Sequence, residues 1–564
     1  MTNFFKNSKN SASKLFKNHP KKIVIIFFAF ILLIGFCNYK SYGISWDEYL
    51  ENNILQSNVA SYVDKFAGGE GLSSLDLTQS PQISTYNERD HGQSMYYLFS
   101  PVNFIFKDDI NTIYTLKHLY TFLIFFGGLV CLYLVILNLT KRRILAILGV
   151  LLVFLSPRMF AESFYNSKDI VLMSMIIVSF YFGYKFIEKK TFVYGIVFAL
   201  AMALTSNTRI IGFWLFGIVG ALYLAMLIKD MIEKKKFAKT FFVGVTAVIA
   251  FVVFFIALTP ASWTSPIEYF NYTYKFSLNF SRWDGIVLYM GDTFNNKIKP
   301  LPWHYIPVMF AVTTPIVTVL LVIFGIFDSV RATIVNKLRN FLNGAQKYYI
   351  LLLIFTLMPL ITAIVKNSNI YNGWRHFYFI FGALIILAVG GVFTLLKVDN
   401  KIFKRIFVGV ISLQLAFSGI WIALNSGVQY AYFNPLAINS EKNFETDYWN
   451  VSVSNCLIKF LDSTSQEQVK ISAVDWYSFE GLGQAKDYLP KEYSDRIVII
   501  PMERRIYDNA EYLISNTSYQ NLTEVSWDKN MNTNKPYSFE NTCNLYTSIV
   551  VNGHSIMNIY KYKL

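Results

Sequence analysis

Two successive acids, Asp47 and Glu48, follow Ser45-Trp46 just past the first long apolar segment. A charge at the edge of an apolar span is costly unless it is paired or used. A positioned carboxylate there can take the proton from an attacking hydroxyl. The spacing also fits a capping box, with Ser45 as N-cap and Glu48 at N3. That accounts for Ser45 and Glu48 and leaves Asp47 without an assigned partner, although the helix dipole would suffice for a solvated acid. Farther on, Ser156-Pro157-Arg158 precedes Ser163-Phe164-Tyr165-Asn166-Ser167-Lys168-Asp169. Pro157 ends one helix, and Asn166 can cap the next with Asp169 at its N3 position. This leaves Arg158 and Lys168 as cations beside a helix N-terminus, a setting suited to a phosphate. Arg209, after Ser206-Asn207-Thr208, repeats the pattern, as do Arg375 and His376 in Tyr371-Asn372-Gly373-Trp374-Arg375-His376. Each could equally snorkel or stack on aromatic neighbours. His91, in Arg89-Asp90-His91-Gly92-Gln93, is a candidate metal ligand with Asp47 or Glu48; its plain alternative is a solvated loop histidine. No cofactor is required by the sequence, and a divalent metal is an option.

The elements that must position these residues are apolar runs of membrane-spanning length. The first covers roughly 23–37. The others cover approximately 114–138, 144–156, 170–187, 192–206, 209–228, 240–259, 305–327, 348–365, 376–396 and 404–424. The expected fold is therefore a polytopic α-helical membrane protein of about eleven spans. Lys6, Lys9, Lys14, Lys17, Lys21 and Lys22 precede the first span without an acid, which marks 1–22 as cytoplasmic. Lys141-Arg142-Arg143, Lys189-Lys190, Lys234-Lys235-Lys236, the stretch with Arg331, Lys337 and Arg339, and Lys401 to Arg405 then fall on the same side. The loops 38–113 and 260–304 and the turns 157–169, 206–209 and 366–375 fall on the other. So does the tail 425–564, whose short apolar runs predict a small α/β domain. Ser281-Arg282-Trp283-Asp284-Gly285 and Leu301-Pro302-Trp303-His304-Tyr305 read as interfacial belt segments.

The bulk composition agrees. Of 564 residues, 54% are hydrophobic and 15% charged, against about 25% charged in soluble domains. The net charge of +15 lies in clusters between spans, which sets orientation and argues against nucleic acid. Cys37 and Cys131 lie in apolar runs; a Cys456–Cys543 disulfide is left open by spacing alone. The chain lacks Walker A, GxGxxG, GxSxG and zinc-type Cys/His spacing, so nucleotide binding is not indicated.

The ordered set of Asp47-Glu48, the 156–169 turn, Leu301-Pro302-Trp303-His304-Tyr305-Ile306-Pro307, Gly373-Trp374-Arg375-His376, Tyr432-Phe433-Asn434 and Asp447-Tyr448-Trp449 resembles the GT-C superfamily of integral membrane glycosyltransferases. The likeness is to its bacterial protein O-mannosyltransferase and lipid A aminoarabinose transferase group, and it covers nearly the whole chain. One segment departs from it. Relatives often carry a His-Pro-Pro type segment where this chain has His91-Gly92-Gln93. The resemblance implies a sugar donor on polyprenyl phosphate and makes Asp47 a base or metal ligand.

The expected function is thus a bacterial inner-membrane glycosyltransferase, a hexosyl- or pentosyltransferase of the cell envelope. The catalytic domain is 23–424, and the acceptor is a glycan, lipid or protein hydroxyl. Its phosphate leaving group is already ionised and needs cations more than an acid. Asp47 and Glu48 are the expected catalytic residues. Arg158, Lys168, Arg209 and Arg375 are expected at the donor phosphate, with Asn166, Asp169, His91 and His376 nearby. The alternatives are a transporter or flippase for lipid-linked glycans, and a noncatalytic assembly or sensor protein.

Overall fold

The computed structural model describes residues 20–233, 237–279, 285–295, 298–335, 342, 344–505, 508–518 and 542–563. Lys6 to Lys17, Lys234-Lys235-Lys236, Ser281 to Asp284, Lys337 and Arg339 lie outside them.

Among the described residues, nine helices are long and apolar enough to cross a membrane, or ten if a bent pair counts as one span. The pair is Arg143–Phe154 with Pro157–Tyr165, bent by 70°. A twelve-residue helix is only about 18 Å long, well short of a bilayer core. Pro157 explains the break, because it sits at the first helical position where its missing N–H costs nothing. Phe192–Thr208 is apolar but shorter than the others. The long helices, the bent pair and this shorter helix together account for the eleven apolar segments of the sequence. The segment at 305–327 also divides, into Tyr305–Thr313 and Ile316–Val335. Asn434 bridges this break, donating to the carbonyls of Ala311 (2.6 Å) and Thr314 (2.7 Å). At one end of the bundle, ion pairs Lys190–Asp230 and Lys347–Glu188 tie the basic turns together. The opposite end carries the acidic loop.

That loop is more ordered than its polarity suggests. It contains the helix Glu48–Ser74, which turns at Gly68 (φ 64°), and the short helix Ser100–Ile105. Between 260 and 304 lie the helix Pro266–Asn279 and a hairpin of β1 (Val287–Tyr289) and β2 (Asp292–Phe294).

The tail forms a five-stranded sheet of β3 (Val469–Ala473), β4 (Ile497–Ile499), β5 (Tyr512–Asn516), β6 (Cys543–Val551) and β7 (His554–Tyr562), in the order β4-β3-β5-β7-β6. β3 runs parallel to β4 and β5; β7 is antiparallel to β5 and β6. The β6–β7 turn is Asn552-Gly553, both at positive φ, the pairing such hairpins demand. Cys456 and Cys543 are both free and buried. Two hydrophobic cores meet near residue 452. Tyr430 to Val451 pack into the helical body, whereas Val453, Cys456 and Leu457 open the core of the sheet domain. Hydrogen bonds that join the bodies include those from Tyr488 to the Tyr42 carbonyl (3.1 Å) and from Trp421 to Asn552 (3.0 Å). Within the helical body the Trp46 amide donates to the Trp449 carbonyl (3.0 Å).

Candidate active site

Where the acidic loop, the 166–169 turn, the 371–375 turn and the sheet domain converge there is a cavity of about 440 Å³. Asp47 lies on its wall at the threshold of the helix Glu48–Ser74. Its Oδ2 lies 3.3 Å from Lys168 Nζ and 3.3 Å from Arg375 Nη1. Lys168 Nζ is closer still to Glu51 Oε1, at 2.9 Å, and Glu51 also accepts from Gln93. Arg375 Nη1 reaches Asp169 Oδ2 at 3.4 Å, and Asp169 Oδ1 accepts from Arg209 at 3.1 Å. The result is an alternating chain, Glu51, Lys168, Asp47, Arg375, Asp169, Arg209, in which three acids balance three cations.

Such a chain fixes charge states. Burial alone would raise the Asp47 carboxyl, but Lys168 and Arg375 overcome it and hold it down at about 2. Burial would lower the Lys168 ammonium, yet Glu51 and Asp47 hold it above its usual range. The Arg375 guanidinium stacks over Trp449 at 4.5 Å, and its Nε has no partner within the protein.

The 166–169 turn departs from the expected cap: Asn166 ends the helix Pro157–Tyr165, and the next helix, Asp169–Lys189, starts with Lys168 at its N-cap position. Asn166 Oδ1 still accepts from the amides of Asp169 (2.8 Å) and Lys168 (3.3 Å), which fixes the turn and presents Lys168 at the helix start.

Other expected residues sit elsewhere. Glu48 faces away from the cavity: its carboxylate accepts from the Ser45 amide (2.8 Å) and hydroxyl (3.1 Å) and lies 3.1 Å from His118 Nε2. Arg158 lies behind the cavity wall on the buried helix Pro157–Tyr165. It contacts the Tyr448 hydroxyl (3.4 Å) and the Tyr432 carbonyl (3.5 Å), a turn away from Glu162, and packs over Phe433. Among the described residues, Arg209 joins the ion-pair chain through Asp169 and does not line the cavity. His376 packs its ring against Tyr371 at 4.6 Å and does not line the cavity. Several motif residues hold structure. Trp374 donates to Thr313 (2.9 Å), Tyr305 accepts from the Gly373 amide (2.9 Å), and Asp447 accepts from the amides of Val451 and Ser452 (3.2 and 3.1 Å).

His91 does line the cavity, but its acidic neighbours are Glu88 and Asp90, not Asp47 or Glu48. One donor atom from each of Glu88, Asp90 and His91 lies within 4.8 Å of the others. A nitrogen with carboxylate oxygens suits zinc or manganese. The loop is pinned there because Gly92 lies against Asn207; a Cβ would come within 2.1 Å of the Asn207 carbonyl. The Glu88-x-Asp90-His91 spacing was the available signal for this set.

Sequence reasoning also missed Glu51 and Glu445. Glu51 stands one helical turn after Asp47. Glu445 lines the cavity at 4% exposure. Burial pushes its carboxyl up to about 8, opposed by Arg375, the Asn372 amide and Arg158.

Fold and site together define a multi-pass helical membrane protein with an ion-paired cavity at one end of its bundle. No protein-family model matches the chain, and no curated protein matches it. Among solved structures it is similar to ArnT from Cupriavidus metallidurans bound to undecaprenyl phosphate: 11% identity over 95% of this chain and 98% of that one, TM-score 0.46. It is also similar to the oligosaccharyltransferase AglB from Archaeoglobus fulgidus in complex with an inhibitory peptide and a dolichol-phosphate: 11% identity over 89% and 70%, TM-score 0.43. At such identities no side-chain role carries over from them.

Proposed function

We propose that this protein transfers a sugar from a polyprenyl-phosphate donor to an acceptor hydroxyl, with inversion, at the non-cytoplasmic face of a bacterial inner membrane. The observation that carries the reading is the Asp47 carboxylate bridging Lys168 and Arg375 on the cavity wall. A phosphate entering this cavity meets two cations and, between them, a carboxylate that can receive a proton. The acceptor oxygen forms its bond to the anomeric carbon while the bond from that carbon to the phosphate oxygen breaks. The electron pair leaves with the phosphate, and the acceptor proton passes to Asp47. Lys168 and Arg375 stabilise the charge growing on the leaving phosphate. As the phosphate shares these cations, their hold on Asp47 weakens and its basicity rises. Arg158 and Arg209 act from behind, by supporting the cavity wall and Asp169. A divalent cation held by Glu88, Asp90 and His91 would add positive charge to the same wall.

The basic turns gathered at the far end of the bundle support an inside N-terminus, with the cavity and C-terminus outside. The test is incubation of the purified full chain in detergent with a polyprenyl phosphate carrying a labelled sugar, together with envelope extract. Release of free polyprenyl phosphate with label in the extract is expected. Label that stays on the lipid, but crosses the bilayer of liposomes containing the protein, would replace this reading with a flippase.

A further inference from the structure

The mouth of the cavity is aromatic, and much of it belongs to the sheet domain. Trp46, immediately before Asp47, lies 5.8 Å from Trp476 and 6.0 Å from Tyr477, ring centroid to ring centroid. All three line the cavity. The rings meet edge-on or tilted, at 62° and 47°, so they are not stacked face to face on one another.

Trp476 is 55% exposed, yet it is held firmly. It opens the helix Trp476–Tyr488, whose N-cap Asp475 accepts from the Ser478 amide (2.9 Å) and hydroxyl (2.7 Å). Ser478 in turn accepts from the Asn516 amide at 2.9 Å, which anchors the turn to β5. The Tyr477 carbonyl accepts from Asn450 at 3.0 Å, and its ring packs beside Ile286 and Leu288 of the hairpin segment. The fold therefore spends three separate tethers to present a large indole to open space beside the expected base. Behind these rings the same cavity holds the Glu445 carboxyl and the Asn372 turn.

Rigid aromatic faces backed by a few buried hydrogen-bonding groups match one ligand chemistry well. A pyranose has an apolar C–H face that stacks on indole and phenol rings, and a rim of hydroxyls that needs donors and acceptors. An acyl chain would leave the hydrogen-bonding groups without a use, and a peptide is the alternative that the test below separates. We propose that the acceptor is a carbohydrate, bound at the cavity mouth by Trp46, Trp476 and Tyr477 with Glu445 addressing its hydroxyls. This deepens the transferase reading and rests on it for the word acceptor. It also gives the sheet domain a role, since Trp476 and Tyr477 are its contribution to the site.

The probe is an array of immobilised glucose, mannose, galactose and N-acetylglucosamine hexasaccharides, with a Ser/Thr-rich peptide beside them, exposed to the full chain in detergent. Binding to at least one saccharide is expected. Trp476→Leu keeps apolar area but loses the flat face, and should weaken binding about tenfold. Trp476→Phe should retain most of it. Tyr477→Ala gives a second reading of the same subsite. Retention on the peptide alone, no saccharide bound, or equal binding by Trp476→Leu and the unmodified chain would each overturn the proposal. If saccharides bind while the parallel donor assay shows no sugar transfer, the transferase reading fails and the saccharide site stands. If transfer proceeds with no saccharide bound, only the subsite fails.

Discussion

Arg375 and Asp47, 328 residues apart in the chain, meet through Nη1 and Oδ2 at 3.3 Å on the wall of the cavity. The contact joins the turn before a late span to the loop after the first one. It holds the proposed base and a proposed donor-phosphate cation in one ion pair, so under the proposed reaction a bound phosphate competes with Asp47 for Arg375.

Asp47→Asn should abolish transfer, at a cost of about 10²–10⁴-fold for a lost base. Glu48→Gln should behave differently, because Glu48 binds Ser45 and His118 and faces away from the cavity. Its effect should appear as lost thermal stability, about 0.5–2 kcal/mol for a weakened cap, with turnover of the folded protein largely kept. Turnover and Tm in detergent separate the two.

Lys168→Ala should lower both donor affinity and turnover, since its ammonium lines the cavity and its contact strengthens as the phosphate leaves. Arg158→Lys should lower Tm and leave donor affinity near normal. Its guanidinium serves Tyr448 and Tyr432 behind the wall, and a lysine cannot reproduce that fork. Donor titrations of both variants in detergent check the contrast.

Glu445 should make stability fall with rising pH. Its carboxyl is raised from 4.5 to about 8 by burial, so the folded state holds a proton that the unfolded state releases. Stability is then fully present below pH 4.5 and is lost as pH rises through about 8. Arg375, Arg158 and the Asn372 amide face this group and limit the shift. Tm measured from pH 5 to 9 should decline less in Glu445→Gln than in the unmodified chain.

Asp47 has the opposite sign. Its carboxyl is held down at about 2 against an ordinary 3.8, so its contribution is present above 3.8 and lost as pH falls through about 2. The pH profile of kcat/KM, which reports the free enzyme, should show no Asp47 limb above pH 3.8.

Glu88, Asp90 and His91 should bind zinc or manganese at one ion per chain, and His91→Ala should remove it. Metal content by mass spectrometry after dialysis checks this without reference to activity.

Local sequence determined the spans, the break at Pro157, the Ser45–Glu48 contact and the Asn166 turn, because each depends on neighbours within a few residues; the helix starts are shifted, with Asp47 and Lys168 at the N-cap positions. It also singled out Asp47, Arg158, Lys168, Arg209 and Arg375 as charges to be placed. Only the tertiary structure decided their partners. Asp47 and Glu48 are adjacent, but successive residues of a helix point about 100° apart, so one reaches the cavity and the other His118. Arg158 and Lys168 looked equivalent in the sequence, yet the 70° bend swings Arg158 behind the wall while Lys168 stays on it. Glu51 and Glu445 carried no local signal, because what distinguishes them is burial against segments distant in the chain, such as those of Gln93 and Lys168 for Glu51 and of Asn372 and Arg375 for Glu445. Long-range packing, which no window of sequence contains, selected the cavity's charges.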